Sequence, residues 1–423
     1  MEMSDNVIAV VDIGSTKVCA MIGRIYPGGR LKIEGEGSVS CKGYKKLMYA
    51  DPETITASIK RALVIAQEKS NIIISSVYVN IRGLYLKYEI KRFEIDLDAN
   101  EKEIDQEDVL KLIAKASKVK IYDDEKIVDV APVKFYIDGD TQTDDPVGLM
   151  GKSLSADLNI IVGHAEIINI LCRCIQKLGL IMDGIIPESY PIAMSQLKST
   201  EKVGNTLLVD VGGKIIEYYL LKDGVVVYDE CMAAGGDNIT SDLAKNLEIS
   251  NADAETLKRD LNYATLEAFR QNRDCYITHV GTGDTEMVKA SYIIGIIENR
   301  ITYMIEKVKE SLIRSGVKTG HIDNIVIVGE GLRNMNGVEH ITRNIFGKNA
   351  RRPDFFVETG YMPTYLTAYG MIFYISESIK YGRNYSESTI KNNNNANGMS
   401  IVTGNKGSRG FLDMIKEFFT LNE

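Results

Sequence analysis

Residues 7–25 (VIAVVDIGSTKVCAMIGRI) place two β-branched runs around a short polar turn at Gly14-Ser15-Thr16, the pattern of a buried β-hairpin. Residues 207–221 (LLVDVGGKIIEYYLL) repeat the plan of strand, Asp, one apolar residue, Gly, turn and strand, so that Asp12 aligns with Asp210 and Gly14 with Gly212. An internal repeat at that distance predicts a duplicated α/β architecture of two like domains facing each other. Between the repeats, Ile55, Ile59, Leu63 and Ala66 recur at helical spacing behind an N-cap Asp51, predicting a helix from about Pro52 to Glu68 and then a strand over Ile72–Ile81. Residues 85–164 are more charged. They alternate as short strands (Tyr85–Asp96, Lys126–Ile137, Ser155–Val162) around one helix after Asp105 that carries Val109, Leu112, Ile113 and Ala116 inward, which reads as an inserted α+β subdomain.

Residues 232–285 are polar and helical in pattern, a second insertion. A long helix over about 286–315 follows, with Ile294, Ile297, Ile301, Met304, Ile305, Val308 and Leu312 as its apolar stripe. Ile325-Val326-Ile327-Val328 then runs into Gly329-Glu330-Gly331, a third strand-then-glycine signal. From about Arg383 the composition is that of a linker, and the chain ends on an abrupt return to hydrophobicity, GFLDMIKEFFTLNE. The chain thus parses into a first core domain (1–84 and 165–200) interrupted by a subdomain at 85–164. A second core domain (201–231 and 286–385) is interrupted at 232–285 and followed by a linker (386–408) and an amphipathic helix (409–423).

Composition narrows the function classes. A chain of 423 residues exceeds one ordinary core, and 44% apolar with 26% charged residues is a globular balance. The net charge of −8 argues against a nucleic-acid partner. The six cysteines are scattered, with Cys172-x-Cys174 the one close pair, and read as reduced structural thiols of a cytosolic protein. The four histidines, His164, His279, His321 and His340, are too dispersed to suggest a metal site. No signal-peptide pattern opens the sequence, and no uncharged apolar run reaches the ~18–20 residues of a membrane-spanning helix.

A hairpin with Gly at its tip offers backbone N–H groups to phosphate oxygens with no side chain in the way. Two such hairpins across a cleft can grip a triphosphate, and an Asp ending each strand can hold Mg²⁺ through water, a hard cation that sheds its hydration reluctantly. Asp12 and Asp210 are the metal-side candidates. Gly14, Ser15, Thr16 and Lys17 of the first turn, and Gly212, Gly213 and Lys214 of the second, are the phosphate-side candidates. The terminal segment places Phe411, Met414, Ile415, Phe418 and Leu421 on one helical face, widened by Leu412 and Phe419. It is too short to span a bilayer and suited to lying in its interface. Its polar face is nearly neutral or acidic, with Lys416 on the helix and only Lys406 and Arg409 before it, so electrostatic help at about 1 kcal/mol per basic residue is small.

DIGSTK at 12–17, the Asp-x-Gly-Gly turn at 210–213 and the strand with Gly-x-Gly at 325–331 together resemble the phosphate and adenosine motifs of the actin/DnaK-type ATPase superfamily. Within it the chain is similar to the FtsA family of bacterial cell-division proteins. SSVYVNIRG (75–83), DPVGLMG (145–151), GGDNITSDLA (235–244), Glu255-x-x-Lys258, Glu298-x-Arg300 and YLTAYGM (365–371) carry that resemblance in order along residues 7 to about 380. It implies an actin-like (ribonuclease H-like) core, with Gly236, Glu255, Lys258, Gly329 and Gly331 around the nucleoside of a bound ATP with Mg²⁺. It implies a peripheral adaptor at the division site on the cytoplasmic side of the membrane. Such an adaptor assembles into protofilaments, tethers the tubulin-like FtsZ through its second-half insertion, engages other division proteins, and uses ATP as a switch, being at most a weak ATPase. The sequence departs from the family where the second turn usually continues Gly-Thr-x-Asp: Lys214, Ile215, Ile216 and Glu217 stand there, and Glu330 replaces the second of two adjacent glycines. A divergent or pilus-assembly-type scaffold that has lost ATP binding is the alternative these departures leave open. A small-molecule kinase on the same core is a further one.

Overall fold

The computed structural model describes residues 6–380 apart from 27–29, 46, 47, 50, 98, 99, 270–272, 334 and 355–358; the linker 386–408 and the helix expected at 409–423 lie outside the described residues. The chain forms two compact units. Of the described residues, one holds those up to Gly43, Tyr49–Ser195 and those from Thr367; the other holds those in Tyr44–Met48 and Gln196–Leu366.

The first unit is built on a five-stranded sheet of β1 (Asn6–Ile13), β2 (Lys17–Ile25), β3 (Leu31–Ser40), β4 (Ser76–Ile81) and β9 (Ile181–Pro187) in the order β9-β4-β1-β2-β3. β1 pairs antiparallel with β2 and parallel with β4, and β4 pairs parallel with β9. Val10, Val11, Ile13 and Val18 to Ile22 are all buried, the near-continuous apolar run of strands covered on both faces. Helix α1 (Pro52–Ser70) starts where the sequence places it: the Asp51 carboxylate accepts the Thr54 N–H at 3.2 Å, and Asn71 ends the helix in the left-handed region at φ 56°. It lies directly on β3. A Cβ at Gly35 or Gly37 would come within 2.2 Å of the Ala66 or Ala62 carbonyl oxygen, so the two glycines set the distance between helix and strand.

Between β4 and α3 (Ala165–Gln176) the chain leaves the sheet to build the insertion, β5 (Leu86–Asp96), α2 (Gln106–Ala116), β6 (Glu125–Ile137), β7 (Thr141–Thr143) and β8 (Ser153–His164), in sheet order β7-β6-β8-β5. A capping box at Asp105 and Asp108 opens α2, which turns Val109, Leu112 and Ala116 onto Ile127, Phe135, Leu154 and Leu158 of the sheet. The insertion therefore has its own apolar core. The 145–151 loop is fixed locally, with the Asp145 carboxylate accepting the Val147 N–H at 3.0 Å and Gly148 N–H reaching the Ile104 carbonyl at 2.9 Å. In the core, α4 (Ser189–Gln196) follows β9.

The second unit repeats the first sheet with β10 (Asn205–Val211), β11 (Ile216–Lys222), β12 (Val225–Met232), β15 (Asn324–Val328) and β16 (Asn349–Arg351) in the order β12-β11-β10-β15-β16. Pairings also match: β10 is antiparallel to β11 and parallel to β15, which is parallel to β16. Helices α5 (Gly236–Leu247), α6 (Asn251–Leu261), α7 (Ala290–Arg314) and α8 (Val338–Phe346) complete it, and the stripe expected on the long helix is buried in full.

Two expectations need correction. The 232–285 insertion is helical only in its first half; β13 (Asp274–Thr278) and β14 (Thr285–Lys289) form a hairpin, because Cys275 and Ile277 alternate inward with a period of two. Helix α9 (Leu366–Lys380), assigned by sequence to the second domain, belongs from Thr367 onward to the first unit. There Gly370 packs on the Pro191 carbonyl, Ile372 on Gly23, and the Tyr374 hydroxyl donates to Asp129 at 3.0 Å within the buried interior.

Candidate phosphate turns and nucleoside pocket

The two Asp-x-Gly turns have the same local geometry. Gly14 N–H donates to the Lys17 carbonyl and Gly212 N–H to the Ile215 carbonyl, each at 2.9 Å, and Asp12 pairs across its hairpin with Cys19 as Asp210 does with Glu217. Ser15 thus corresponds to Gly213, Thr16 to Lys214 and Lys17 to Ile215. Among the described residues no hydrogen bond engages the tip N–H groups of Ser15, Thr16, Gly213 or Lys214. Backbone donors with that freedom, two per turn, are the chemistry a phosphate needs.

In the first unit the Asp is braced by neighbours that sequence reasoning missed. Asp12, Asn80 and Glu188 end three adjacent strands or follow them directly, and all three are buried. Asn80 spends both faces of its amide here: Oδ1 accepts Ile13 N–H at 2.7 Å, while Nδ2 donates to Asp12 at 2.9 Å and to Glu188 at 3.1 Å. Two carboxylates at the carboxyl ends of the parallel strands β1, β4 and β9 lie where such strands place ligands. Glu188 carries no motif signal of its own, since only the parallel pairing of β4 and β9 brings it to Asp12.

In the second unit a glycine lies beside the Asp, and a Cβ on Gly329 would come within 2.2 Å of Asp210 Oδ1. Val328 pairs with Asp210 as Asn80 does with Asp12, and Gly329 follows at φ 99°. A Cβ on Gly331 would lie 2.2 Å from the Gly212 oxygen, and one on Gly236 would lie 2.7 Å from the Gly331 oxygen. Gly236 and Asp237 N–H groups, at the start of α5, donate to the Gly212 and Gly213 carbonyls at 3.0 and 2.8 Å. The glycines expected around a nucleoside are therefore stacked backbone on backbone, and the α5 terminus serves to hold the second turn.

The departures now have positions. Ile215 is buried, so the residue at the usual Thr position packs into the core, while Lys214 is exposed. Lys214 lies within electrostatic reach of Asp237. Desolvation pushes the Asp237 carboxyl above its usual range, and the Lys214 and Lys258 charges oppose that rise. Glu330 turns toward Arg333, one helical turn on, at 3.7 Å.

Glu255 and Lys258 meet on α6 at 2.6 Å. The buried Lys258 ammonium also contacts Thr240 Oγ1 at 2.9 Å and the Gly236 carbonyl at 3.2 Å, which occupies its three donors. Partial burial disfavours the Glu255 carboxylate, but hydrogen bonds from Lys258 and Thr240 outweigh it and hold the group below the usual value. Lys258 and Arg259, which donates to Oε1 at 2.8 Å, therefore aim Glu255, and its remaining acceptor capacity makes it the group of the pair able to meet a ligand hydroxyl. The Glu298-x-Arg300 motif fastens α7 to its neighbours: Glu298 accepts from Thr265 and from the Leu266 N–H, and Arg300 forks onto Asp242 of α5.

The insertion matches the family model described as "SHS2 domain inserted in FTSA" over residues 83–162, and the second half matches "Cell division protein FtsA" over 207–370. Together the two cover more than half of the sequence. The chain belongs to the FtsA family. The cell division protein FtsA of Bacillus subtilis (strain 168) is 26% identical over 88% of this chain and 84% of its own. Among solved structures, a PilM–PilN type IV pilus biogenesis complex shares the fold at TM-score 0.55 and 12% identity, covering 87% of this chain and 96% of its own. MreB 5 of Spiroplasma citri bound to AMPPNP does so at 0.54 and 12%, covering 89% and 99%. At that identity the two structures speak for the actin-like fold alone. No helix among the described residues is long and apolar enough to cross a membrane.

Proposed function

We propose that this cell-division protein is an actin-like adaptor that binds ATP with Mg²⁺ as a switching ligand, self-associates into protofilaments and tethers FtsZ to the inner face of the cytoplasmic membrane. The observation that carries the nucleotide is the matched pair of turns with their unengaged tip N–H groups, one on each of two sheets of identical order. The donor set fits the ligand. Ser15, Thr16, Gly213 and Lys214 supply backbone N–H groups, the exposed Lys214 adds a cation where the family usually has a third glycine, and Glu255 suits a ribose hydroxyl. Asp12 and Asp210 supply the hard oxygens that a hydrated Mg²⁺ prefers. Bound Mg²⁺ would neutralise phosphate charge there. Asn80 orients Asp12 through its Nδ2 hydrogen bond, and Glu188, held by the same amide, is a second carboxylate beside it that could hold a water.

Membrane attachment is assigned to Phe411, Leu412, Met414, Ile415, Phe418, Phe419 and Leu421, which lie outside the described residues. One weak anchor gains by avidity when copies assemble. Vesicle flotation with and without residues 406–423, and co-pelleting with purified FtsZ, test the tether. Unchanged flotation of the shortened chain removes the anchor. The second reading, a scaffold that has lost ATP, is favoured by one observation: the buried Ile215 supplies no hydroxyl where the family has one.

A further inference from the structure

Away from the turns, the ends of α1 and α3 leave a groove of about 320 Å³, walled by Val64, Leu178 and Leu180 and rimmed by Lys60 and Lys177. The residues next in sequence to its floor and wall, Ile73 and Ile181, are 94% and 60% exposed. Isoleucines bared beside an apolar groove mark a surface that something covers. The rim is basic, although Lys177 also meets the exposed Glu53. The chain carries a segment whose sequence matches it: read as a helix, 411–421 would place Phe411, Met414, Ile415, Phe418 and Leu421 on one face, with Asp413 and Glu417 outnumbering Lys416 on the other.

We propose that this groove is the resting seat of the chain's own 411–421 segment, so that the anchor is withheld from lipid until it is displaced. This rests on the amphipathic reading given above. The stretch from 381 to 410 spans up to about 100 Å when extended, enough to reach any face of a unit of this size. A linker of that length holds the segment it carries at an effective concentration on the order of 1 mM, so even a millimolar intrinsic affinity fills about half the seats. The complementary charge that helps the segment into the groove is the charge that gives it little help on anionic lipid.

The test uses the full chain with a photo-crosslinking benzoylphenylalanine at Val64, an exposed helical position, and phosphatidylglycerol vesicles. The expected result is an intrachain adduct within 411–421 that is lost on Ile415→Asp. Val64→Glu and, independently, Lys60→Glu should raise flotation at least threefold. An adduct with a second copy or elsewhere in the chain, or flotation that falls in Val64→Glu because the groove itself meets lipid, overturns the proposal. An adduct that forms while Ile415→Asp leaves flotation unchanged supports the seat and removes the anchor reading instead.

Discussion

Gly331 offers the sharpest test of how the second turn is held. A methyl group there would sit 2.2 Å from the Gly212 oxygen, 2.7 Å from the Val211 oxygen and 2.9 Å from the Gly212 carbonyl carbon, all backbone, against an ordinary contact of 3.4 Å or more. Relieving it means parting the loop after β15 from the turn after β10 by about 1 Å. That movement strains the Gly236–Gly212 and Asp237–Gly213 hydrogen bonds, which are worth about 1 kcal/mol each. Overpacking adds about 1–3 kcal/mol. Gly331→Ala should therefore cost about 3–5 kcal/mol. At about 2–4 °C per kcal/mol for a unit of this size, its melting transition should fall by roughly 6–20 °C in scanning calorimetry. Gly320→Ala is the control, since a methyl group there meets nothing within 4 Å, and it should stay within about 0.5 kcal/mol. A Gly331→Ala shift equal to that of the control would refute the backbone-stacked account of the turn.

Lys258→Met should destabilise the second unit by about 2–3 kcal/mol in urea unfolding. Breaking a fully buried pair costs about 3–5 kcal/mol, and the Glu255 side chain, 32% exposed, recovers part of that from water. Asp105→Ala removes the capping box of α2 and should lower the stability of the insertion by about 1 kcal/mol, read as a shift in its urea midpoint without a change in slope. Hydrogen bonding from Arg92, against some desolvation and with help from Tyr136, holds the Asp157 carboxyl below its usual value. The stability it contributes is complete above the unfolded value of about 3.9 and is lost as pH falls through the lower folded one. Asp157→Asn should flatten that acid limb in melts between about pH 5 and 2.

The repeat was legible because β-branched runs around Asp-x-Gly are local signals, and the structure reproduces them as two sheets of one order. Helices α1, α2 and α7 were legible for the same reason: Asp51, Asp105 and the isoleucine stripe mark them within a few residues. What sequence hid is set by packing between distant segments. The β13–β14 hairpin is short and carries Tyr276 and Met287 on its outer face as well as Cys275 and Ile277 on its inner one, so its period is faint beside the helices before it. Helix α9 joins the first unit through Pro191, Gly23 and Asp129, none of them near it in sequence. Asn80 and Glu188 reach Asp12 only through the strand order β9-β4-β1. The backbone-on-backbone packing at Gly236 and Gly331 is a role the sequence does not separate from an approach to phosphate, because both demand the same residue.

The most direct test of the central claim is calorimetric titration of ATP with Mg²⁺ into the full chain and into Lys214→Ala. Saturable micromolar binding that weakens at least tenfold in the variant is the expected result and makes Lys214 the stand-in for the missing donors. Absence of binding in the unaltered chain, or tighter binding once Lys214 is removed, would contradict it.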